Sequence, residues 1–375
     1  MKLGLLFIIS IISKFYLTQE KNNYVMLSLT RGMFGYVIEY HIGKDKIRVD
    51  SMLDLVNNDS YMSNKKYLNS ENFPQNKYIS EGFYRKNDNK IPFKVYTDVI
   101  SFDNEITIND FQFITFNVTT PPFKDSISLS YASVYNKNSF VNMLYNNGYI
   151  SKKKVFISKE ERTVYIGNKN IPQKTNSSYS TGTCSIYHNK WGCQFYSMTL
   201  ENQTIINNNY YVEIDPNENS ILLPKELFKQ FEQILFKKYI DNKTCTYSIF
   251  YTQYRFICYC NILRSISTLE LGIGYNIFSF EGRKLFLEYE DFCIMSIMES
   301  DYENIILGRD FISEYSIELD YESKKLSFIS NKLNITKNNL LYIRWYMLNT
   351  IIFTLIFGIS ILIINYNLRK NNIVI

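Results

Sequence analysis

The sequence predicts an all-β protein of two lobes with a cleft between them, followed by one C-terminal membrane helix. Three observations carry this. Short alternating apolar runs recur along the chain with turn residues between them. Two distant stretches, 53–62 and 214–224, each place an aspartate after an apolar strand-like residue, then a polar turn, then apolar residues again. Near the C-terminus, 347–364 is an apolar run interrupted only by Asn349, Thr350, Thr354 and Ser360.

Composition agrees with the first point. The 375 residues are 46% hydrophobic and 16% aromatic, too apolar for a disordered chain and long enough for two packed lobes. Ala132 is the only alanine, while Ile and Tyr abound, which disfavours a helical bundle and favours strands. The net charge of +5 is dispersed. No basic stripe with interleaved aromatics marks a nucleic-acid partner.

In chain order, Lys2 and the apolar run 3–12 read as an export signal over residues 1–18, with an uncleaved anchor as the alternative. Strands are expected over 36–40, 94–102, 111–117, 163–166, 195–200, 285–289 and 316–319. Helical spacing appears over 138–148, where Phe140, Val141, Leu144 and Tyr145 share a face, and over 224–238, which opens on Pro224. Each helix follows an aspartate-like strand region in its own half, so the order is duplicated. The lobes are placed at 19–175 and 176–335, with a linker at 336–345.

Six cysteines, Cys184, Cys193, Cys245, Cys258, Cys260 and Cys293, all lie in the second half, an even count that suits three disulfides in an exported domain. Zinc binding is the rival, but His41 and His188 sit in unrelated contexts and no paired-cysteine spacing of a zinc site occurs, so no metal or other cofactor is expected. Sequons at Asn58, Asn117, Asn176, Asn202, Asn242 and Asn334 suit a glycosylated lumenal domain. The span is set at 346–364, flanked by Trp345 on one side and Arg369-Lys370 on the other, with a cytoplasmic tail at 365–375. A buried core helix is the alternative. The polar tail argues against a lipid-anchor signal. Signal plus span gives a type I membrane protein of the secretory pathway, expected to be a monomer.

Several motifs then line up in order. Ile42-Gly43 precedes Asp54 by twelve positions. Asp125 to Ala132 is followed by Phe140-Val141-Asn142-Met143-Leu144 and Gly148-Tyr149-Ile150-Ser151. Trp191-Gly192-Cys193 and Ser197-Met198-Thr199-Leu200 precede the second aspartate. Ile305-Ile306-Leu307-Gly308-Arg309-Asp310-Phe311-Ile312 leads to Leu319-Asp320-Tyr321 and Leu326-Ser327-Phe328. Together these resemble the pepsin-type (A1) aspartic peptidases over most of residues 36–330.

The resemblance implies the bilobal pepsin-like fold, an extended peptide or protein substrate in the cleft, and Asp54 and Asp215 as the catalytic pair. It implies Tyr84 as the tyrosine that covers substrate. It also implies a Cys260–Cys293 disulfide in the second lobe, leaving Cys245–Cys258 and Cys184–Cys193. Two carboxylates held close share one proton, so one activates water while the other polarises the scissile carbonyl.

The chain departs from the family at the turns. Each aspartate should be followed by Thr or Ser and then Gly; here Leu55-Val56 and Pro216-Asn217 stand instead. Pro216 removes a backbone donor, and Asn217 can take glycine's left-handed conformation, though less readily than glycine. Asn57, Asn58 and Ser220 are the candidates for replacement hydrogen bonds. The first-lobe counterpart of Gly308 is read as Leu129. These losses favour a peptide-binding homologue without catalysis, with an active acidic endopeptidase and a non-catalytic surface or adhesion protein as alternatives.

Overall fold

The computed structural model describes residues 24–337 and 350–363; among the short internal segments left out, the longest are 74–77, 117–123, 170–179, 262–265 and 331–334. The expected signal (1–18), tail (365–375), most of the linker, and the sequons at Asn117, Asn176, Asn202 and Asn334 lie outside the described residues.

Strands predominate, and a six-stranded antiparallel sheet joins the halves. Its order is Tyr24–Ser28, Thr163–Gly167, Lys154–Ser158, Ser316–Asp320, Lys325–Ser330, Ser180–Ser185. The strand entering each half sits at one edge, and the hairpin closing each half sits in the middle. The halves meet where Ile157 faces Ile317 and Val155 faces Leu319. Lys154 crosses that seam to Asp320 at 2.7 Å and Glu318 at 3.4 Å. One hydrophobic core runs continuously through both lobes.

Each lobe then repeats one local device. In the first, Ile47–Asp54 buries Ile47, Val49, Ser51 and Leu53 by period-two alternation and pairs antiparallel with Gly35–Ile42. Gly43 turns that hairpin at φ +73°, where a Cβ would also press on Asp98 and Tyr67. Ile47–Asp54 runs parallel to the short strand Ser126–Ser128, and the chain loops back so that Tyr61 bridges Ser126 from its other side. In the second lobe Tyr211–Ile214 runs parallel to Ile305–Leu307, and Ile221–Pro224 returns antiparallel on its other side. Each aspartate therefore sits on a loop that crosses one short buried strand.

Most expected strands occur within a few residues of their forecast, including Thr163–Gly167, Gly192–Leu200, Phe286–Tyr289 and Ser316–Asp320. The 138–148 helix is Phe140–Asn146. The 224–238 helix runs Lys225–Gln230, widens to a π turn at Phe231–Phe236 and continues as Lys237–Asp241. Phe228, Phe231 and Phe236 from it pack on Phe256 of the four-stranded sheet.

All three expected disulfides form. Cys184–Cys193 ties the six-stranded sheet to the strand Gly192–Leu200, and Cys245–Cys258 and Cys260–Cys293 staple the outer four-stranded sheet. Residues 350–363 are helical and exposed throughout. Among the described residues no helix is long and apolar enough to cross a membrane.

Candidate active site

Asp54 ends its strand almost fully buried, 3% exposed. Its Oδ1 accepts the backbone N–H groups of Val56 and Asn57, each at 2.9 Å, and its Oδ2 accepts the Asn57 side-chain amide at 2.7 Å. Burial raises its pKa, and the donors of Asn57 and Val56 pull the other way. Leu55, at the family's hydroxyl position, turns into the core instead. Val56 replaces glycine without strain, because neither it nor Asn217 has a positive φ. The left-handed conformation open to Asn217 is thus not used: a residue in the ordinary region already aims its N–H at the carboxylate.

Asp215 follows its strand one residue later and is less well supplied. Among the described residues its Oδ1 accepts only the Asn217 N–H, at 2.9 Å. Pro216 donates nothing. The N–H of Glu218, which stands where Asn57 stands in the first loop, goes to the Asp215 backbone carbonyl at 3.2 Å. Burial, followed by the charges of Asp54, Glu218 and Glu213, outweighs the single donor and lifts Asp215 to about 6. Asp215 therefore feels the charge of Asp54 across the lobes. Tyr302 faces the same corner, its phenol raised by burial and by Glu218 and Asp215. Glu213 is held by Lys190, at 2.9 Å to each oxygen, and by Asn304 at 2.7 Å.

The two loops rest on non-identical supports. Asp54 is in register with Ser128, and Ile214 with Leu307, so the residue matching Gly308 is Ser128 and not Leu129. A Cβ at Gly308 would lie 2.3 Å from the Ser220 carbonyl and 2.7 Å from that of Glu218. At Ser128 the loop makes room for one, and the hydroxyl donates to the Asn57 carbonyl at 2.5 Å while the N–H donates to Ser60 Oγ at 3.0 Å. Of the expected substitutes, Asn57 reaches the carboxylate. Asn58 accepts from Ser130 Oγ instead, at 3.1 Å, and Ser220 Oγ has no partner among the described residues.

Leu129 is fully buried, and its carbonyl accepts Trp191 Nε1 at 2.7 Å and the Tyr321 hydroxyl at 2.8 Å. Two second-lobe side chains thus grip the residue next to Ser128, which fixes the first loop against the second lobe.

Tyr84 lies half-buried on Tyr78–Lys86, the outer strand of a long hairpin with Asn89–Ser101. Its ring meets Phe116 edge-on at 6.1 Å, and Phe116 stacks on Tyr61 at 5.9 Å. The Tyr61 phenol is raised by burial and by the charges of Asp59, Asp54 and Tyr84. Among the described residues no group of three His, Cys, Asp or Glu side chains is arranged to hold a metal ion. Sequence reasoning passed over Ser128, Glu218 and Asp59. Aligning the two turns residue for residue exposes Glu218 as the counterpart of Asn57.

The comparisons agree with this fold. The sequence model of the family described as eukaryotic aspartyl protease matches residues 89–331, a stretch that includes Asp215 but begins after Asp54. The fold is similar to the crystal structure of an aspartic proteinase from Irpex lacteus, with a TM-score of 0.61 at 12% identity, covering 82% of this chain and 97% of that one. Comparison with curated proteins finds no match.

Proposed function

This chain belongs to the eukaryotic aspartyl protease family, and from that premise we propose that it binds an extended peptide between its lobes and hydrolyses it in an acidic compartment. The observation that carries the reading is the unequal environment of the two carboxylates. Three donors favour ionised Asp54, whereas burial and Asp54's own charge keep Asp215 protonated to about 6. Burial raises both carboxyls, but three donors oppose it at Asp54 and one at Asp215, and such unequal environments assign the roles of base and acid.

Asp54 takes a proton from water as the water oxygen attacks the scissile carbonyl carbon. Asp215 gives its proton to the carbonyl oxygen, which forms a neutral gem-diol. In collapse protonated Asp54 gives its proton to the leaving nitrogen while Asp215 takes one back from a gem-diol hydroxyl, and the C–N bond breaks to an acid and an amine. Tyr84 closes over the peptide from the hairpin. The test is incubation of the full chain with a mixed peptide library from pH 3.5 to 7, with and without a statine-type transition-state analogue. Cleavage that the analogue blocks and Asp215→Ala abolishes supports the reading; a folded chain that cleaves nothing refutes it.

One observation favours a second reading, a peptide-binding homologue without catalysis. Leu55 and Pro216 leave no hydroxyl to tie the loops together, and Asn217 Oδ1 is buried without a partner among the described residues. Carboxylates misplaced by about 1 Å lose on the order of a hundredfold in rate. In that case the analogue binds and nothing is cleaved.

Anchoring through 346–364 belongs to the same proposal. The apolar, exposed helix over 350–363 supports it, with the lobes lumenal and the chain a type I monomer. Retention of the chain in the membrane pellet after alkaline extraction, and its release when 346–364 is deleted, is the expected result.

A further inference from the structure

The third residue after each aspartate is pinned in the same way. Asn57 N–H donates to Asp54 Oδ1 at 2.9 Å, and the Asn57 carbonyl accepts the Ser128 hydroxyl at 2.5 Å. Glu218 N–H donates to the Asp215 carbonyl at 3.2 Å, and the Glu218 carbonyl accepts Arg309 N–H at 2.7 Å. Ser128 matches Gly308, the neighbour of Arg309, by strand register. Each of these residues is therefore held at its N–H by its own aspartate and at its carbonyl from the matching strand end.

Their side chains differ. The Asn57 amide reaches back to Asp54 Oδ2 at 2.7 Å. The matching place in the second loop holds a carboxyl, one methylene longer and half-buried. Among the described residues the one donor to the Asp215 carboxyl goes to Oδ1, so Oδ2 lacks the partner that Asp54 Oδ2 has. No described residue donates to the Glu218 carboxyl or forms an ion pair with it, and burial alone raises it above the ordinary glutamate value. Ionised, Glu218 is an unpaired, half-buried anion in the Asp215 turn. Protonated, it carries an O–H that can take the place of the Asn57 amide.

Glu218 already acts on this corner, since its charge helps to raise Asp215 and, with Asp215, the Tyr302 phenol. The other groups around it are accounted for. Asp54 lies across the lobes, and Glu213, on the strand before, is engaged by Lys190 and Asn304. Asp301 and Glu303, beside Tyr302, are exposed. Arg309 meets Glu218 through its backbone N–H.

We propose that Glu218 is a positioning residue that works as a neutral acid, its O–H donating to Asp215 Oδ2 as the Asn57 amide donates to Asp54 Oδ2. The inference rests on the hydrolysis reading above and deepens it. As Asp215 passes its proton to the scissile carbonyl oxygen, the Glu218 proton stays on Glu218, and its hydrogen bond strengthens toward the Asp215 anion. A donor aimed at charge that develops only in the transition state raises kcat and leaves substrate affinity alone. A carboxyl in this role also ties activity to acidity. Once Glu218 ionises the donor is gone and a second anion stands beside Asp215, so the two acids titrate as a pair.

Two measurements on the full chain test it. The first needs neither cleavage nor peptide. Aspartate carboxyls are labelled with carbon-13, the Asp215 signal is assigned by its loss in Asp215→Asn, and its shift is followed with pH. In wild type it titrates at about 6. In Glu218→Gln it titrates about one pH unit lower, because an anion is removed and a permanent amide donor stands in its place. In Glu218→Leu, which lacks the anion and offers no donor, it titrates above the Gln variant. An Asp215 titration that ignores Glu218, or that is the same in the Gln and Leu variants, overturns the proposal.

The second measurement is peptide cleavage at pH 4. Glu218→Leu lowers kcat on the order of tenfold with KM little changed, the worth of one hydrogen bond to a charged oxygen, and Glu218→Gln recovers most of that loss. A Leu variant as fast as wild type, or a loss confined to KM, overturns the proposal while the hydrolysis reading stands. A chain that cleaves nothing, yet shows the expected order of Asp215 titrations, keeps Glu218 as donor and refutes the hydrolysis reading.

Discussion

Asp215→Asn stabilises this protein at neutral pH and leaves its stability at pH 3 almost unchanged. In the fold, Asp215 holds its proton up to about 6, whereas an aspartate in the unfolded chain releases it at 3.8. Between those values the unfolded chain binds fewer protons than the native one, so stability falls as pH rises from about 4 to 6 and is flat above. The shift of about 2 units corresponds to about 3 kcal/mol, at 1.36 kcal/mol per unit. Asparagine cannot ionise and still accepts the Asn217 N–H, so the variant escapes that loss. With an unfolding entropy of about 2 cal/mol/K per residue, lobes of about 300 residues convert 3 kcal/mol to roughly 5 °C in Tm. The assay is thermal unfolding of wild type and variant in matched buffers at pH 3 and pH 7. A Tm gain that is equal at both pH values, or confined to pH 3, would falsify the assignment of Asp215 as the group kept neutral by burial. A gain in stability on removing a carboxylate from the candidate site is the usual trade between function and folding.

Three other outcomes follow from the same contacts. Asn57→Ala removes the amide at 2.7 Å from Asp54 Oδ2, costs about 1–2 kcal/mol in denaturant titration, and moves the acidic limb of any cleavage profile to higher pH because ionised Asp54 loses a donor. Gly308→Ala costs several times more than Ser128→Gly, on the order of 3 kcal/mol against about 1, since only the former drives a Cβ to 2.3 Å from a carbonyl oxygen; equal midpoints in urea refute the register. Lys154→Met at the lobe seam costs roughly 1–3 kcal/mol at pH 6 and less at pH 2. Burial raises Asp320, but Lys154 and Ser323 outweigh it and hold the carboxyl below its ordinary value. The stabilisation is therefore present above the unfolded pKa and lost as pH falls through the folded one. A cost independent of pH sinks that account.

The sequence by itself determined the β class, the two lobes and the pair of aspartates, because these are written locally. Period-two alternation in 47–54, the turn at Gly43 and the proline before the helix at 225 each act within a few residues. Motif order also placed the three disulfides through a family resemblance. What only the tertiary structure decided is nonlocal. Whether Ser128 or Leu129 underlies Asp54 depends on the register of two parallel strands that meet across more than seventy positions, and a slip of one residue exchanges the two faces. The lost Thr/Ser-Gly turns looked disabling in sequence, yet the N–H of Val56 and the amide of Asn57 reach Asp54 from ordinary backbone conformations. Hydrogen bonds are satisfied by position in space and not by residue name, and that is why the chemistry of the two turns became legible only in the fold.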